Sequence, residues 1–213
     1  MKIQINEIYK SIQGESSYSG IPCIFIRFTY CNLRCSYCDT EYAFYEGKDM
    51  TIEEILEKVE SLDCNLVEIT GGEPLLQDGC IELIKNLEKR NHTVLLETGG
   101  ALPINKVSSK THIILDIKCP SSKMDDKNYW KNIKELKKTD EVKFVIGDKA
   151  DYNWSKKIIT KYDLTKKCSI LMSPVYDKIK PRKIVEWILK DNLEVRFQLQ
   201  IHKEIWDKNT IGV

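Results

Sequence analysis

Short apolar, β-branched runs alternate with helical patterns along this chain, and the alternation limits its possible folds more than any other feature. Residues 23–28, 66–70, 94–97, 113–117, 142–146, 169–172 and 195–199 read as strands. Between them, 51–62 places Ile52, Ile55, Leu56 and Val59 on one face, and Thr51 with Glu54 has the form of a capping box. Residues 79–89 repeat the pattern with Cys80, Leu83, Ile84 and Leu87. Weaker helical patterns cover 127–137, 152–162 and 181–190, the last with Pro181 at a first helical position, where its missing N–H would be unpaired anyway. Strand–helix alternation implies a parallel sheet with helices outside it. A chain of 213 residues has room for about six such units, fewer than the eight of a closed barrel. The expected fold is therefore α/β: an open, partial parallel (β/α) barrel, as a single domain over 1–213, with functional groups at the carboxyl ends of the strands. No repeat, low-complexity stretch or Pro/Gly-rich linker interrupts it.

Charge narrows the partners. Lys plus Arg is 33 and Asp plus Glu is 32, a net charge of +1, which gives no electrostatic case for nucleic acid or a membrane surface. No run of 18 apolar residues occurs, and the opening Met-Lys-Ile-Gln-Ile-Asn-Glu lacks the apolar core of a signal peptide. Eight cysteines would suit a disulfide scaffold only in a short secreted chain, so a reducing cytoplasm is the expected setting. Cys23, Cys64, Cys80 and Cys168 lie in or beside apolar segments and read as small buried hydrophobes. Cys119 reads as structural or pocket lining.

The other three cysteines behave differently. Cys31, Cys35 and Cys38 sit just past the first predicted strand with C-x3-C-x2-C spacing, and Tyr37 precedes the last of them. Three thiolates can bind three irons of a four-iron cube, leaving the fourth iron open for a small molecule. Structural zinc would require a fourth ligand, and none follows locally: the next cysteine is Cys64, and His92 is further still. A redox C-x-x-C formed by Cys35 and Cys38 would leave Cys31 unexplained.

Further polar groups gather at predicted strand ends. Thr70-Gly71-Gly72-Glu73-Pro74 follows the second strand, and its paired glycines leave backbone open to close approach. Glu97-Thr98-Gly99-Gly100, Asp116 to Ser122 and Ser173-Pro174 end later strands, and Lys143 sits early in another. Each alone is an ordinary turn or cap. Their repetition along one rim marks a site.

The cysteine spacing with its aromatic, together with Gly-Gly-Glu-Pro, closely resembles the radical S-adenosylmethionine (SAM) enzymes. Ser11-Ile12-Gln13-Gly14-Glu15, Arg27, Cys38-Asp39-Thr40, Pro120-Ser121-Ser122-Lys123 and Gln198-Leu199-Gln200-Ile201-His202-Lys203 narrow the resemblance, over residues 8–213, to the 7-carboxy-7-deazaguanine synthase family. That resemblance implies a [4Fe–4S] cluster on Cys31, Cys35 and Cys38, and SAM cleaved reductively to methionine and a 5′-deoxyadenosyl radical. It implies 6-carboxy-5,6,7,8-tetrahydropterin as substrate, hydrogen abstraction at C6, ring contraction with loss of ammonia, and SAM regenerated at the end. The product would feed 7-deazapurines such as queuosine, without the enzyme touching tRNA. By the same resemblance, Tyr37, Cys38, Asp39 and Gly72 line SAM, with Asp116, Ile117, Lys118 and Ser121 beside them. Ile12, Gln13, Gly14, Arg27, Thr70 and the terminal Val213 hold the substrate, Thr40 supports Mg²⁺, and no side chain is assigned as an acid, base or nucleophile. The chemistry of these residues is apt, since Arg27 offers a bidentate fork to a carboxylate and Gln13 both a donor and an acceptor. A homodimer and an external one-electron donor of flavodoxin or ferredoxin type are implied as well. Two other readings compete: a glycyl-radical-enzyme activase, which shares the cysteine spacing, and a non-catalytic zinc-binding module.

Overall fold

The computed structural model describes residues 1–207 and 210–213. In chain order its elements are strands β1 (Lys2–Ile12), β2 (Pro22–Phe28) and β3 (Lys48–Thr51), helix α1 (Ile52–Ser61), β4 (Leu66–Gly71), α2 (Gly79–Lys89), β5 (Thr93–Thr98), β6 (His112–Asp116), β7 (Glu141–Ile146), α3 (Lys149–Lys161), α4 (Leu164–Lys167), β8 (Ser169–Pro174), α5 (Pro181–Asp191), β9 (Arg196–Phe197) and α6 (His202–Ile205). They form one nine-stranded sheet ordered β3-β1-β2-β4-β5-β6-β7-β8-β9. From β2 through β4 to β9 every pairing is parallel; β1 runs antiparallel to both β2 and β3. The end strands β3 and β9 do not pair, so the barrel is open. Among the described residues no helix is long and apolar enough to cross a membrane.

Two apolar cores fill the space between the sheet and its helices. Ile24, Ile26, Phe28, Val67 and Ile69 meet Ile55, Leu56, Val59, Leu83, Ile84 and Leu87 of α1 and α2. Val142, Phe144, Ile170 and Met172 meet Tyr152, Ile158 and Ile159 of α3 and Ile184 of α5. Burying one such side chain stabilises the fold by about 1.5–3 kcal/mol, which is why the helices lie on this face. Successive strand residues point to opposite faces, so the alternate positions turn into the barrel. There a small apolar layer of Cys23, Phe25, Leu66, Leu95 and Ile114 gives way to Glu68, Thr70, Glu97, Asp116 and Lys143.

Helix α1 begins with the capping box expected of Thr51 and Glu54. Helix α3 starts earlier than its periodicity implies, because the Asp148 carboxylate accepts from the Asp151 amide. Three expectations are corrected. Residues 127–137 are not an α-helix but short 3-10 turns, the longer over Trp130–Lys134. There the Asn132 side chain accepts from Ile104 N and donates to Leu102 O, and the Asn128 side chain pairs with the backbone of Lys118, so both fasten neighbouring loops. The strand expected at 195–199 shrinks to Arg196–Phe197, and the segment at 2–12, left unassigned from its pattern, is the longest strand of the sheet. A bulge between Ile5 and Glu7 shifts its register against β2 and breaks the two-residue alternation that would reveal it. Cys23, Cys80, Cys119 and Cys168 are buried and Cys64 half-buried, and all eight cysteines are free thiols.

Candidate active site

The loop after β2 carries Cys31, Cys35 and Cys38 over the carboxyl ends of the parallel strands. Several bonds independent of sulfur fix its path. Cys38 N donates to Cys35 O (3.1 Å), and Ser36 donates through N to Ser122 O (3.0 Å) and through Oγ to Ser121 O (2.6 Å). Tyr37 Oη donates to Val145 O at the end of β7 (3.4 Å). Gly72 N and Glu73 N donate to Phe28 O and Tyr30 O (3.0 and 2.7 Å). A Cβ at Gly72 would strike the Tyr30 carbonyl, and one at Gly71, where φ is +138°, would strike the Phe28 backbone. The paired glycines therefore let the second strand end touch the cysteine loop. We expect Gly72→Ala to push this loop outward, so that thermal melts and iron titration show lower stability and weaker cluster loading.

Glu73 is fully buried, and its carboxylate ties β4 to β5 by accepting from Thr98 Oγ1 (2.9 Å) and Gly99 N (2.8 Å). Lys118 pairs with Asp116 (2.9 Å). Burial raises the proton affinity of all three cysteine thiols, and the Lys118 cation opposes it at each. Three soft sulfur donors on one loop beside the half-buried Lys118 cation fit the anionic ligand set of an iron–sulfur cluster. Among the described residues no three His, Cys, Asp or Glu side chains are grouped to hold a single metal ion, whereas a cube takes each thiolate on a different iron.

Below the loop lies a cavity of about 750 Å³. Its wall includes Ile12, Gln13, Gly14, Arg27, Cys31, Cys35, Tyr37, Cys38, Asp39, Thr40, Thr70, Gly72, Asp116, Lys118 and Val213. The fold thus brings these sequence-selected residues together. Ile117 and Ser121 stand outside the wall. Ile117 packs into the outer core, with its N–H donating to Lys143 O (2.9 Å), and Ser121 is bonded to Asp151 through both N and Oγ.

Charge inside the cavity is closely paired. Lys143, 5% exposed, contacts Glu15 (2.9 Å), Glu97 and, at 3.8 Å, Asp116. Burial favours the neutral form of Lys143, but Glu15 and Glu97 outweigh it and keep the ammonium charged. Burial likewise opposes charge on Glu97, and Lys143 overcomes it, holding that carboxyl below its ordinary range. Burial, then Glu97 and Glu15, raise the proton affinity of Glu68 well above normal, against the weaker pull of Lys143 and Arg27. Arg27 donates through Nε to Glu7 (2.7 Å) and through Nη2 to Tyr9 Oη (3.0 Å), while Tyr42 Oη donates to the same Glu7 oxygen (2.9 Å). It is both an ion pair and a cavity residue.

Among the described residues no strand closes the gap between β1 and β9; the loop after β1 and the tail after β9 meet there. Ser16 N donates to Gln198 Oε1 (2.9 Å), Ile201 N to Gly14 O (3.1 Å) and Gln200 Nε2 to Glu15 Oε1 (2.7 Å). Lys203 Nζ donates to Asp39 (2.6 Å), and Thr40 Oγ1 donates to the same carboxylate (3.0 Å). A Cβ at Gly14 would collide with the His202 ring. Thr210, Ile211, Gly212 and Val213 return to the cavity wall. Sequence reasoning gave no role to Glu15, Glu68 or the tyrosines around Arg27. The available signal was a glutamate inside an apolar strand, two residues before Thr70 and hence on the same face.

Residues 25–163 match the model of the radical SAM superfamily. A relative from Chlorobaculum tepidum named 7-carboxy-7-deazaguanine synthase is 46% identical, the alignment covering 99% of this chain and 97% of that protein. One of the same name from Koribacter versatilis is 42% identical over 99% of this chain and the whole of that one. The chain belongs to the 7-carboxy-7-deazaguanine synthase family. The crystal structure of QueE from Escherichia coli superposes with a TM-score of 0.78 at 22% identity, over 93% of this chain and 94% of that one, and has the same open-barrel fold. The enzyme is a radical SAM lyase of 7-deazapurine biosynthesis, with a [4Fe–4S] cluster and SAM as cofactors. The activase and zinc-module readings fall with that membership.

Proposed function

We propose that this cavity takes 6-carboxy-5,6,7,8-tetrahydropterin to 7-carboxy-7-deazaguanine with release of ammonia. The observation that carries the reading is that one cavity wall holds the three cysteines, a half-buried arginine and a paired polar set together. When bound, the cluster and SAM supply one-electron reductive cleavage and, from it, hydrogen-atom abstraction. The remaining work is positioning, and it falls to the chain. Tyr37, Asp39, Gly72, Asp116 and Lys118 surround SAM, and Asp151 steadies the Ser121 loop beside it. Arg27, braced on one edge by Glu7 and Tyr9, takes the substrate carboxylate on its free N–H groups. Thr70 and the backbone of Ile12 to Gly14 meet the ring, and Val213 closes the wall. Thr40 offers Mg²⁺ one hydroxyl oxygen, with substrate and water oxygens completing the shell. A homodimer in a reducing cytoplasm, served by a flavodoxin- or ferredoxin-type donor, completes the reading.

Anaerobic incubation of the reconstituted enzyme with SAM, reductant, Mg²⁺ and the carboxytetrahydropterin should give a product of the mass of 7-carboxy-7-deazaguanine, with SAM not consumed in proportion. SAM cleavage without that product would overturn the substrate assignment. Arg27→Ala should lower kcat/KM for the pterin by roughly one to two decades, the worth of a charge-assisted hydrogen bond of about 1.5–3 kcal/mol. Iron content and SAM binding should stay normal, and unchanged kinetics at subsaturating substrate would remove Arg27 from the site.

A further inference from the structure

The Gln13 amide is bonded within the protein at both its nitrogen and its oxygen. Its Nε2 donates to the Glu68 carboxyl, and its Oε1 accepts from Glu15 N at 2.8 Å. Gln13 is 4% exposed and Glu68 3%. From Glu15 the contacts continue to Lys143, to Glu97, and from Glu97 to Thr70 Oγ1 (3.2 Å), which lies on the same strand as Glu68. With the β4 backbone between Thr70 and Glu68, these contacts form a ring on the cavity wall. The loop after β1 is tied to the tail through Ser16 N to Gln198 (2.9 Å) and Ile201 N to Gly14 O (3.1 Å), and to β7 through Ser17 N to Glu141 (3.0 Å); the Gln13 amide is its tie to β4.

We propose that Glu68 is a positioning residue that acts through Gln13 to set the 13–15 loop against which the substrate lies. The inference rests on the substrate reading above. Glu68 lies in β4 and, like Gln13, lines the cavity, where the Gln13 amide is turned onto it. Glu68 is buried, accepts from Gln13 and, among the described residues, forms no ion pair, and burial disfavours its charged form, so its role is that of a shaped hydrogen-bond partner. Glutamine should therefore replace it, whereas a side chain without a polar end leaves a buried N–H of Gln13 without an acceptor.

The test compares Glu68→Gln with Glu68→Leu, and with Glu68→Thr, which suits a strand but is too short to reach Gln13. All are assayed as reconstituted enzyme with the carboxytetrahydropterin, and the proteins without substrate are examined by amide hydrogen exchange. Glu68→Leu and Glu68→Thr should raise KM for the pterin about tenfold or more, as expected for an orphaned buried donor. Their kcat should change less than KM, and KM for SAM should hold. Exchange in residues 13–17 should accelerate in both, while Glu68→Gln stays within about threefold of the parent KM and retains the protection. If Leu fails to fold, the Thr variant carries the comparison. Equal impairment by Gln and Leu, or faster exchange with no change in KM, would overturn the role of Glu68. A parent enzyme that does not convert the pterin would instead overturn the substrate reading, and the exchange data would still decide whether Glu68 holds the loop.

Discussion

Cys35→Ala should give a folded protein that holds no cluster. The loop is pinned by Ser36 to residues 121 and 122, by Tyr37 to Val145 and by Gly72 and Glu73 to Phe28 and Tyr30, so its path does not depend on the Cys35 sulfur. Removing one thiolate leaves two ligands for a cube that takes three from this chain. Iron and sulfide should fall from about four per chain to background, the visible absorption should vanish, and SAM cleavage should fall below detection, a loss on the order of a millionfold or more. Circular dichroism and thermal melting of the metal-free protein should match the parent within about 0.5 kcal/mol, as for a partly exposed site outside the core. Full cluster content in this variant would show that the three-cysteine assignment is wrong.

Lys143→Met should be the most destabilising single change at the site. Methionine matches the length of the stem, but it leaves Glu15, Glu97 and Asp116 around a position that held their shared cation. Removing one partner from a buried charge cluster typically costs about 3–5 kcal/mol, which for a chain of this size is roughly 6–20 °C in Tm. The cost should depend on pH. The folded-state proton affinity of Glu97 is depressed by Lys143, so the stability it contributes is present above the ordinary glutamate range and is lost as pH falls through its lowered value. The variant lacks that contribution, and its deficit against the parent should narrow toward acid. Thermal unfolding at neutral pH and again near pH 4 measures both effects. A deficit that is small and flat with pH would mean that the carboxylates do not rely on Lys143.

Much of this site could be read directly, because its signals are local. The cysteine spacing, the paired glycines and the capping box of α1 each lie within eight residues or fewer, and local chemistry does not depend on the rest of the fold. The parallel order of the strands followed from alternation alone. What escaped was set by tertiary pairing. The bulge in β1 hides a strand whose partners, β2 and β3, are what make it one. Asn128 and Asn132 divert a helical pattern into turns because distant backbone groups need their amides. Glu68, Glu15 and Lys143 were visible as letters, but only the fold shows that Lys143 meets Glu15 while Glu68 meets Gln13. Gln13 is the sharpest case: a donor and acceptor suited to a heterocycle, found joined instead to Glu68 and to the amide of Glu15.

The gap between β1 and β9 also bears on the order in which the enzyme comes into being. The hydrogen bonds that fix Ser36, Tyr37 and Cys38 reach no later than residue 145, whereas the neighbouring Asp39 is bound by Lys203 and the cavity wall joins residues 14–16 to residues 198–201. Closing so long a loop is slow and entropically costly, and it follows the nearer contacts. During synthesis, a chain emerging from the ribosome would have its cofactor loop framed well before it had a place for substrate. Residues 198–201, made after that frame, would be among those that turn a cluster-binding scaffold into an enzyme.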